Sequence, residues 1–411
     1  MADMFSLQRV ERLGHIKGMA YEPTPSDVIM AGVAPNCYDP NSCRDFDMDY
    51  FNSDFADLWG PTGRNDLQQI RNQNVNLMRL YNWTGNASGG TTLRDHIPYL
   101  DYCQSLGLGT MVPFSNYNAT ISPGNAQNTA NSMVNEIVNR PTRGALHPAA
   151  KMWQVTNEFE LSSNIKAQDV ARLVEYIVRA EEAAGVTADV NKIPIVVGIS
   201  TAVKYGVDGQ SMGQIEALRM AFHVGGTLPD GTQVPGNDYL NEKNVWECRF
   251  VIGIQSFQYL GEVGKFVDAM WQKYQGEIPI LLTEHGFNSV SAASAGPPLP
   301  GNGGQNDDQN QALIVARQIA DANALFQKYA IFRGMCYFQW LNTYYKCGTQ
   351  GGGYSNICTE ANFGQVEWNA FGAGRPTPTR FGKTRKGQQY PVDAATQKPV
   401  FNAVTVGFTG P

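Results

Sequence analysis

KMWQVTNE, residues 151–158, is a short apolar run that ends on a polar pair, Asn157 and Glu158, and runs of its kind recur along the whole chain. Seven more can be read: IKGMAY at 16–21, LMRLYNW at 77–83, GTMVPFS at 109–115, IPIVVGIS at 193–200, FVIGIQSF at 250–257, IPILLTE at 278–284 and FRGMCYFQW at 332–340. Stretches with a helical pattern separate them, at 65–74, 92–106, 126–139, 167–184, 212–223, 261–275 and 308–329. Apolar runs alternating with helical patterns are the signature of βαβ units and a parallel sheet. Eight such units predict a closed (β/α)8 TIM barrel. An open doubly wound sheet would place a Gly-rich phosphate loop after its first strand, and none follows IKGMAY.

The long irregular segments 22–64, 116–125, 201–211, 285–307 and 341–380 each follow a strand, which predicts long loops at the C-terminal face, where barrel enzymes build their sites. Segment 224–249 precedes a strand and belongs to the opposite rim. With no repeat and no second domain evident, residues 1–411 read as a single catalytic barrel whose tail, 381–411, straps across it.

Hydrophobic residues make up 42% of the chain and charged residues 17%, enough for a large core and too ordered a composition for intrinsic disorder. A formal net charge of −6 gives no electrostatic reason for a nucleic-acid or anionic-membrane partner, so neutral ligands are favoured. No run of ~18 apolar residues occurs, so no membrane insertion is expected. Forty-two glycines and 44 aromatics describe a loop-rich globule with many flat apolar faces, which suit sugar rings. Cys37 with Cys43, and Cys347 with Cys358, flank short loops and look like staples of a secreted or extracytoplasmic protein, whose signal segment is then removed or replaced, since none is read at 1–18. Cys103 and Cys336 read as small buried hydrophobes. No spacing of cysteines and histidines recommends a metal site.

Two strand ends deliver a glutamate: Glu158 closes the fourth run and Glu284 the seventh. Strands 4 and 7 of a barrel face each other across its mouth, so two carboxylates there can flank one bond. Glycoside hydrolysis needs that geometry. In its retaining form one carboxylate attacks the anomeric carbon and the other donates a proton to the leaving oxygen, the pair standing ~5–5.5 Å apart.

The motifs IKGMAYEP, LMRLYNW, VTNE, LLTEHGFNS and MCYFQW together resemble the clan A β-glycoside hydrolases over residues 14–342. Within that clan KGMAY, RLYNW and TEHGFNS are most similar to β-1,3-glucan-acting families, including the glucanosyltransferases of fungal walls. The resemblance implies a retaining hydrolase or transglycosylase of β-linked glucan, without metal or organic cofactor. It assigns Glu158 as general acid/base and Glu284 as nucleophile. Asn157 then bonds the sugar 2-hydroxyl, Arg79 donates to Glu284 and keeps it ionised, and Trp340 floors the sugar cavity. The clan often holds its nucleophile with a tyrosine after strand 6. Here IQSFQYL offers Phe257 first and Tyr259 two positions later, which leaves that role open.

Tyr21, Tyr81, Asn82, Trp83 and Asn116 are site-lining by their strand-end positions alone. Competing readings stand beside these assignments. A strand-end glutamate is often a surface carboxylate, Arg79 a structural ion-pair residue and Trp340 core packing. Glu160 reads as a solvated loop carboxylate, His285 as a loop-shaping residue, and Glu22 has no assigned role. Trp59, Trp153, Trp246 and Trp271 read as packing. Three glycosylation sequons begin at Asn82, Asn86 and Asn118, just after strands 2 and 3, and Asn82 is expected to remain unmodified. The same machinery aimed at β-1,4-glucan or mannan is an alternative, as is a carbohydrate-binding barrel without catalysis. Linkage, endo or exo action and oligomeric state are not legible.

Overall fold

Residues Ile195–Ser200 bury every side chain, and so do Gly109–Phe114, Phe250–Ser256, Ile280–His285 and Phe332–Tyr337. Strands buried on both faces read as near-continuous apolar runs because a barrel covers one face with its interior and the other with helices. The computed structural model describes residues 10–26, 28–29, 44–45, 49–83, 95–138, 144–162, 164–200, 210–257, 262–293, 307–343, 359–368, 380–385, 387 and 389–410.

Eight parallel strands close the barrel: β1 (Ile16–Ala20), β2 (Leu77–Arg79), β3 (Gly109–Phe114), β4 (Ala150–Val155), β5 (Ile195–Ser200), β6 (Phe250–Ser256), β7 (Ile280–His285) and β8 (Phe332–Tyr337). They neighbour one another in sequence order, with β8 beside β1. Each is followed by a helix: α1 (Asp66–Arg71), α2 (Ile97–Ser105), α3 (Pro123–Ile137), α4 (Ala167–Ala183), α5 (Gln210–Phe222), α6 (Glu262–Tyr274), α7 (Asp308–Lys328) and α8 (Pro399–Gly407). This is the (β/α)8 barrel expected from the sequence. The chain divides into two compact units, taken in turn below.

The first unit comprises Met1–Ile16, Gly109–Glu284 and Asp321–Met335. Helix α3 starts where Ser122 accepts from the Asn125 N–H and Pro123 takes the first turn. Helix α4 starts where Asp169 accepts from the Lys166 N–H, and it buries Val170, Leu173, Val174, Ile177 and Val178 along one stripe. The register pairs Val155 with Val197 and Gln255 with Ser200, which levels the C-terminal ends of β4, β5 and β6. Gly253 lets β6 approach its neighbours, since a Cβ there would stand 2.8 Å from Thr283 and from Val196. Between α5 and β6 lie a hairpin, Gly225–Thr227 with Gln233–Pro235, and two short helices that the apolar pattern does not reveal. They end at Arg249, whose Nε donates to the Ile193 carbonyl just before β5, at the strand ends remote from Asn157.

One buried ion pair ties this unit together. The Arg249 guanidinium meets both oxygens of Glu181, at 2.6 and 2.9 Å, and Trp153 donates its indole N–H to the same carboxylate at 2.8 Å. Both charges are buried, so the hydrogen bonds from three elements offset a desolvation cost of several kcal/mol per ion.

The second unit comprises Lys17–Leu108, His285–Ala320 and Cys336–Pro411. Gly18 packs directly on Cys336, where any Cβ would collide with the thiol sulfur; Cys103 and Cys336 are both buried, as small hydrophobes are. Asp66 collects the Tyr21 hydroxyl at 3.0 Å and both arms of Arg64 at 2.7 and 2.8 Å. His96 meets Asp49 at 2.7 Å beneath the stacked ring of Trp83. Gln73 is fully buried, and its amide donates to Gln365 Oε1, the Phe401 carbonyl and Thr405 Oγ1. The tail is more structured than a plain strap. Phe381–Lys383 pairs with Gln389–Pro391, Ala395–Gln397 pairs with Val366–Trp368, and helix α8 follows.

Of the tryptophans assigned to packing, Trp59, Trp153 and Trp246 are buried, whereas Trp271 is 40% exposed beside Tyr329. Cys37, Cys43, Cys347 and Cys358 lie outside the described residues, as does Asn86. Among the described residues no helix is long and apolar enough to cross a membrane.

Candidate active site

The chain leaves β4 through Thr156, Asn157 and Glu158, and its backbone there is strained. Thr156 has φ +63° and Glu158 φ +46°, in the left-handed region that L-residues other than glycine, asparagine and aspartate seldom visit. A β-branched residue there is a genuine outlier, and such strain persists only where surrounding contacts over-determine it. The contacts are visible. Asn116, one residue past Ser115 at the end of β3, grips the Asn157 backbone from both sides: its Nδ2 donates to the Asn157 carbonyl and its Oδ1 accepts from the Asn157 N–H, each at 2.7 Å. This two-point grip fixes the peptide planes that aim the Asn157 and Glu158 side chains.

Past the strained residues the chain makes a single 3-10 turn, Phe159–Leu161, with Glu158 at its N-cap and Phe159 buried beneath it. Glu160 on this turn accepts from the Ser200 N–H at the end of β5. Burial pushes its carboxyl up to about 7, against the ordinary 4.5, with the Ser200 N–H working in the opposite direction. The expectation of a solvated loop carboxylate is thereby corrected.

Glu284, near the end of β7, is 4% exposed. Its Oε1 accepts from Gln255 Nε2 at 3.3 Å, and the same amide nitrogen donates to Asn157 Oδ1. One side chain of β6 therefore bridges the two strand ends that carry Asn157 and Glu284. A second amide, Gln154 Nε2, lies 3.4 Å from Asn157 Oδ1. With that oxygen taken as an acceptor, Asn157 is oriented to donate through Nδ2. Gln255 escaped the sequence reading, which searched past the end of β6 for a tyrosine. The signal is present, for Gln255 is a polar residue in a largely apolar strand, one position before its end. Tyr259 lies outside the described residues.

In the second unit Arg79 ends β2 fully buried, its guanidinium carbon 3.7 Å from the centre of the Tyr81 ring. Tyr81 is half-buried and also meets Phe338 edge to face at 6.4 Å. Two of the expected site residues are fully enclosed. Tyr21 was expected to line a site; it is fully buried, its hydroxyl donates to Asp66, and burial raises its pKa well above the ordinary range. Trp340 was expected to offer a sugar a flat face. It too is fully buried, its backbone N–H donates to the Ala20 carbonyl, and its ring tilts against Phe401 of α8. His285 and Glu22 are buried as well. Asn82 and Asn118 are buried, at 9% and 3% exposure. Among the described residues no cluster of three or more His, Cys, Asp and Glu side chains is placed to hold a metal ion.

The arrangement in the first unit thus presents a buried carboxylate, an oriented amide and a half-buried glutamate next to that amide. Such a set can attack an electrophilic carbon, hold a hydroxyl beside it and move a proton.

No family model matches the chain, and no curated protein matches it. Solved structures do resemble it. An FMN-binding β-glucuronidase from Facaelibacterium prausnitzii L2-6 is 12% identical with a TM-score of 0.46, the match covering 85% of this chain and 41% of that one. A GH2 β-galacturonidase from Eisenbergiella tayi bound to galacturonate is 13% identical with a TM-score of 0.47, covering 84% and 46%. Saccharomyces cerevisiae Gas2p in complex with laminaritetraose and laminaripentaose is 12% identical with a TM-score of 0.47, covering 86% and 59%. Across these three matches the chain spans about half the length of the solved structures.

Proposed function

We propose that this chain is a retaining β-glycoside hydrolase or transglycosylase acting on β-linked glucan, with β-1,3-glucan as the favoured substrate. The observation that carries the proposal is the Gln255 amide shared between Asn157 and Glu284, which draws the ends of β4 and β7 to one point. Glu158 follows Asn157 directly, and the motif resemblance gives its carboxylate the acid/base role beside it.

Glu284 is the nucleophile. Its oxygen bonds to the anomeric carbon while the glycosidic bond breaks and the leaving oxygen takes the Glu158 proton. Asn157, donating through Nδ2, holds the 2-hydroxyl, a contact that strengthens as the ring gains oxocarbenium character. Glu158, now a carboxylate, next removes a proton from water or a second sugar, whose oxygen displaces Glu284 and restores the anomeric configuration. Gln255 keeps Glu284 turned toward the sugar throughout. The preference for β-1,3 linkage rests on the motif resemblance in β1, β2 and after β7.

Glu158→Gln and Glu284→Gln should each lower turnover by about 10³-fold or more, with unchanged circular dichroism. Azide should restore turnover to Glu284→Ala with a product of inverted configuration. Mass spectrometry and NMR of products from β-1,3-, β-1,4- and β-1,6-linked oligosaccharides then report linkage, anomeric outcome and acceptor together. Cleavage confined to β-1,4-glucan or mannan would replace the substrate. Tight laminarin binding, with no cleavage of any β-glucan and no effect of either glutamine substitution, would replace the function with carbohydrate binding.

A further inference from the structure

The reaction above makes no use of Glu160, a half-buried carboxylate two residues past Glu158. Glu160 sends Oε1 to the Ser200 N–H, while Oε2 is buried without a hydrogen-bond partner among the described residues. A buried oxygen without a partner has lost its bonds to water and gained none in return. Such groups are rare in folded proteins and ask for a reason.

The reason lies in the turn that carries Glu160. Thr156 and Glu158 hold left-handed backbone that would relax if its surroundings released it. On the N-terminal side Asn116 holds the Asn157 peptide from both faces. On the C-terminal side Phe159 is buried, and the Glu160 bond to Ser200 is the side-chain tether from the turn to the neighbouring strand. Glu158 lies between these two anchors. Removing the second frees the turn to unwind toward ordinary backbone angles and to carry the Glu158 carboxyl with it.

We propose that Glu160 is a positioning residue whose carboxyl ties the turn bearing Glu158 to the end of β5 and so sets where the acid proton is presented. This rests on the reading of Glu158 as general acid/base. The carboxyl, pushed up to about 7 by burial, stays largely protonated in mildly acidic solution and adds no full negative charge beside Glu158 there. The buried oxygen that lacks a partner is the cost of that tether.

The test compares kcat/KM, which reports the bond-breaking step, on two substrates with one glycone. Dinitrophenyl β-laminaribioside has a leaving group that needs no proton; laminaritriose has one that does. Glu158→Gln is the reference and should lose activity on laminaritriose alone. Glu160→Ala should show the same selective loss, about 30-fold or more on laminaritriose and under about threefold on the aryl glycoside, within the range general acid catalysis supplies. Glu160→Gln keeps an acceptor for the Ser200 N–H and should stay within about threefold of wild type on both. If Glu160→Ala fails to fold, Glu160→Met fills the same volume without that acceptor and must show the same split. Equal losses on both substrates, or none on either, overturn the inference. If Glu158→Gln itself shows no split, the reading of Glu158 has failed and the inference falls with it. If Glu158→Gln splits the substrates and the Glu160 variants do not, only the inference fails.

Discussion

At the scale of single residues, Gln255 has the largest consequence for its size. Its two amide hydrogens meet two acceptors on different strands, one of them the Glu284 carboxylate. A hydrogen bond to a charged group contributes about 1.5–3 kcal/mol, so Gln255→Leu, which removes the donor while keeping most of the volume, should lower kcat/KM by about 10- to 100-fold. Steady-state kinetics on laminari-oligosaccharides checks this, and an unchanged value would mean that Glu284 is held by other groups. Asn157, Glu158 and Glu284 are proposed from the sequence because an apolar run ending on an acidic residue is readable without coordinates. The sequence hid Gln255 for a physical reason. A residue near a strand end points either into the barrel mouth or into the packing behind it, and apolar runs buried on both faces carry no alternation that tells the two apart. Glu160 was misread because its partner is a backbone N–H on another strand, which no motif announces.

The elements were the most legible level. The expected helix at 167–184 forms as Ala167–Ala183, and the expected strand at 109–115 as Gly109–Phe114. The helix is long and periodic and the strand is an apolar run bounded by turn residues, so local pattern and tertiary packing agree. The hairpin at Gly225–Thr227 and Gln233–Pro235 was not legible, since three-residue strands around a polar turn have no measurable period. The ion pair of Glu181 with Arg249 belongs to this scale because it joins α4 to the start of β6, with Trp153 of β4 as a third party. Glu181→Ala leaves a buried guanidinium without its counter-charge and should cost about 3–5 kcal/mol. Replacing both charges with apolar residues of similar volume should cost much less. Urea denaturation of the two variants separates the outcomes, and equal losses would show that the pair acts through packing instead.

The whole molecule carries a net charge of −6 spread over 68 charged side chains, and the substrate proposed for it has no charge. Electrostatic steering should then contribute little. Raising ionic strength from 0.01 to 1 M shortens the screening length from about 30 to 3 Å, yet kcat/KM on neutral laminari-oligosaccharides should change less than about twofold. A steep fall with salt would point to an anionic substrate, such as a uronic acid. The closed barrel itself followed from counting apolar runs. Its allotment into two compact units did not, because that depends on contacts between residues hundreds of positions apart.

Gln73 shows what such distances mean while the protein is being made. This amide, just past α1, finds its buried partners at Gln365, Phe401 and Thr405, 292 to 332 residues later. In vectorial synthesis those acceptors leave the ribosome 292 to 332 residues after Gln73 does. Until then Gln73 must stay hydrated, and the early strands must wait without their last neighbours. Vectorial synthesis can assemble the first βα pairs, but the seal waits until Gln365, Phe401 and Thr405 are free to fold. Chains caught in that interval expose apolar surface that the finished protein covers.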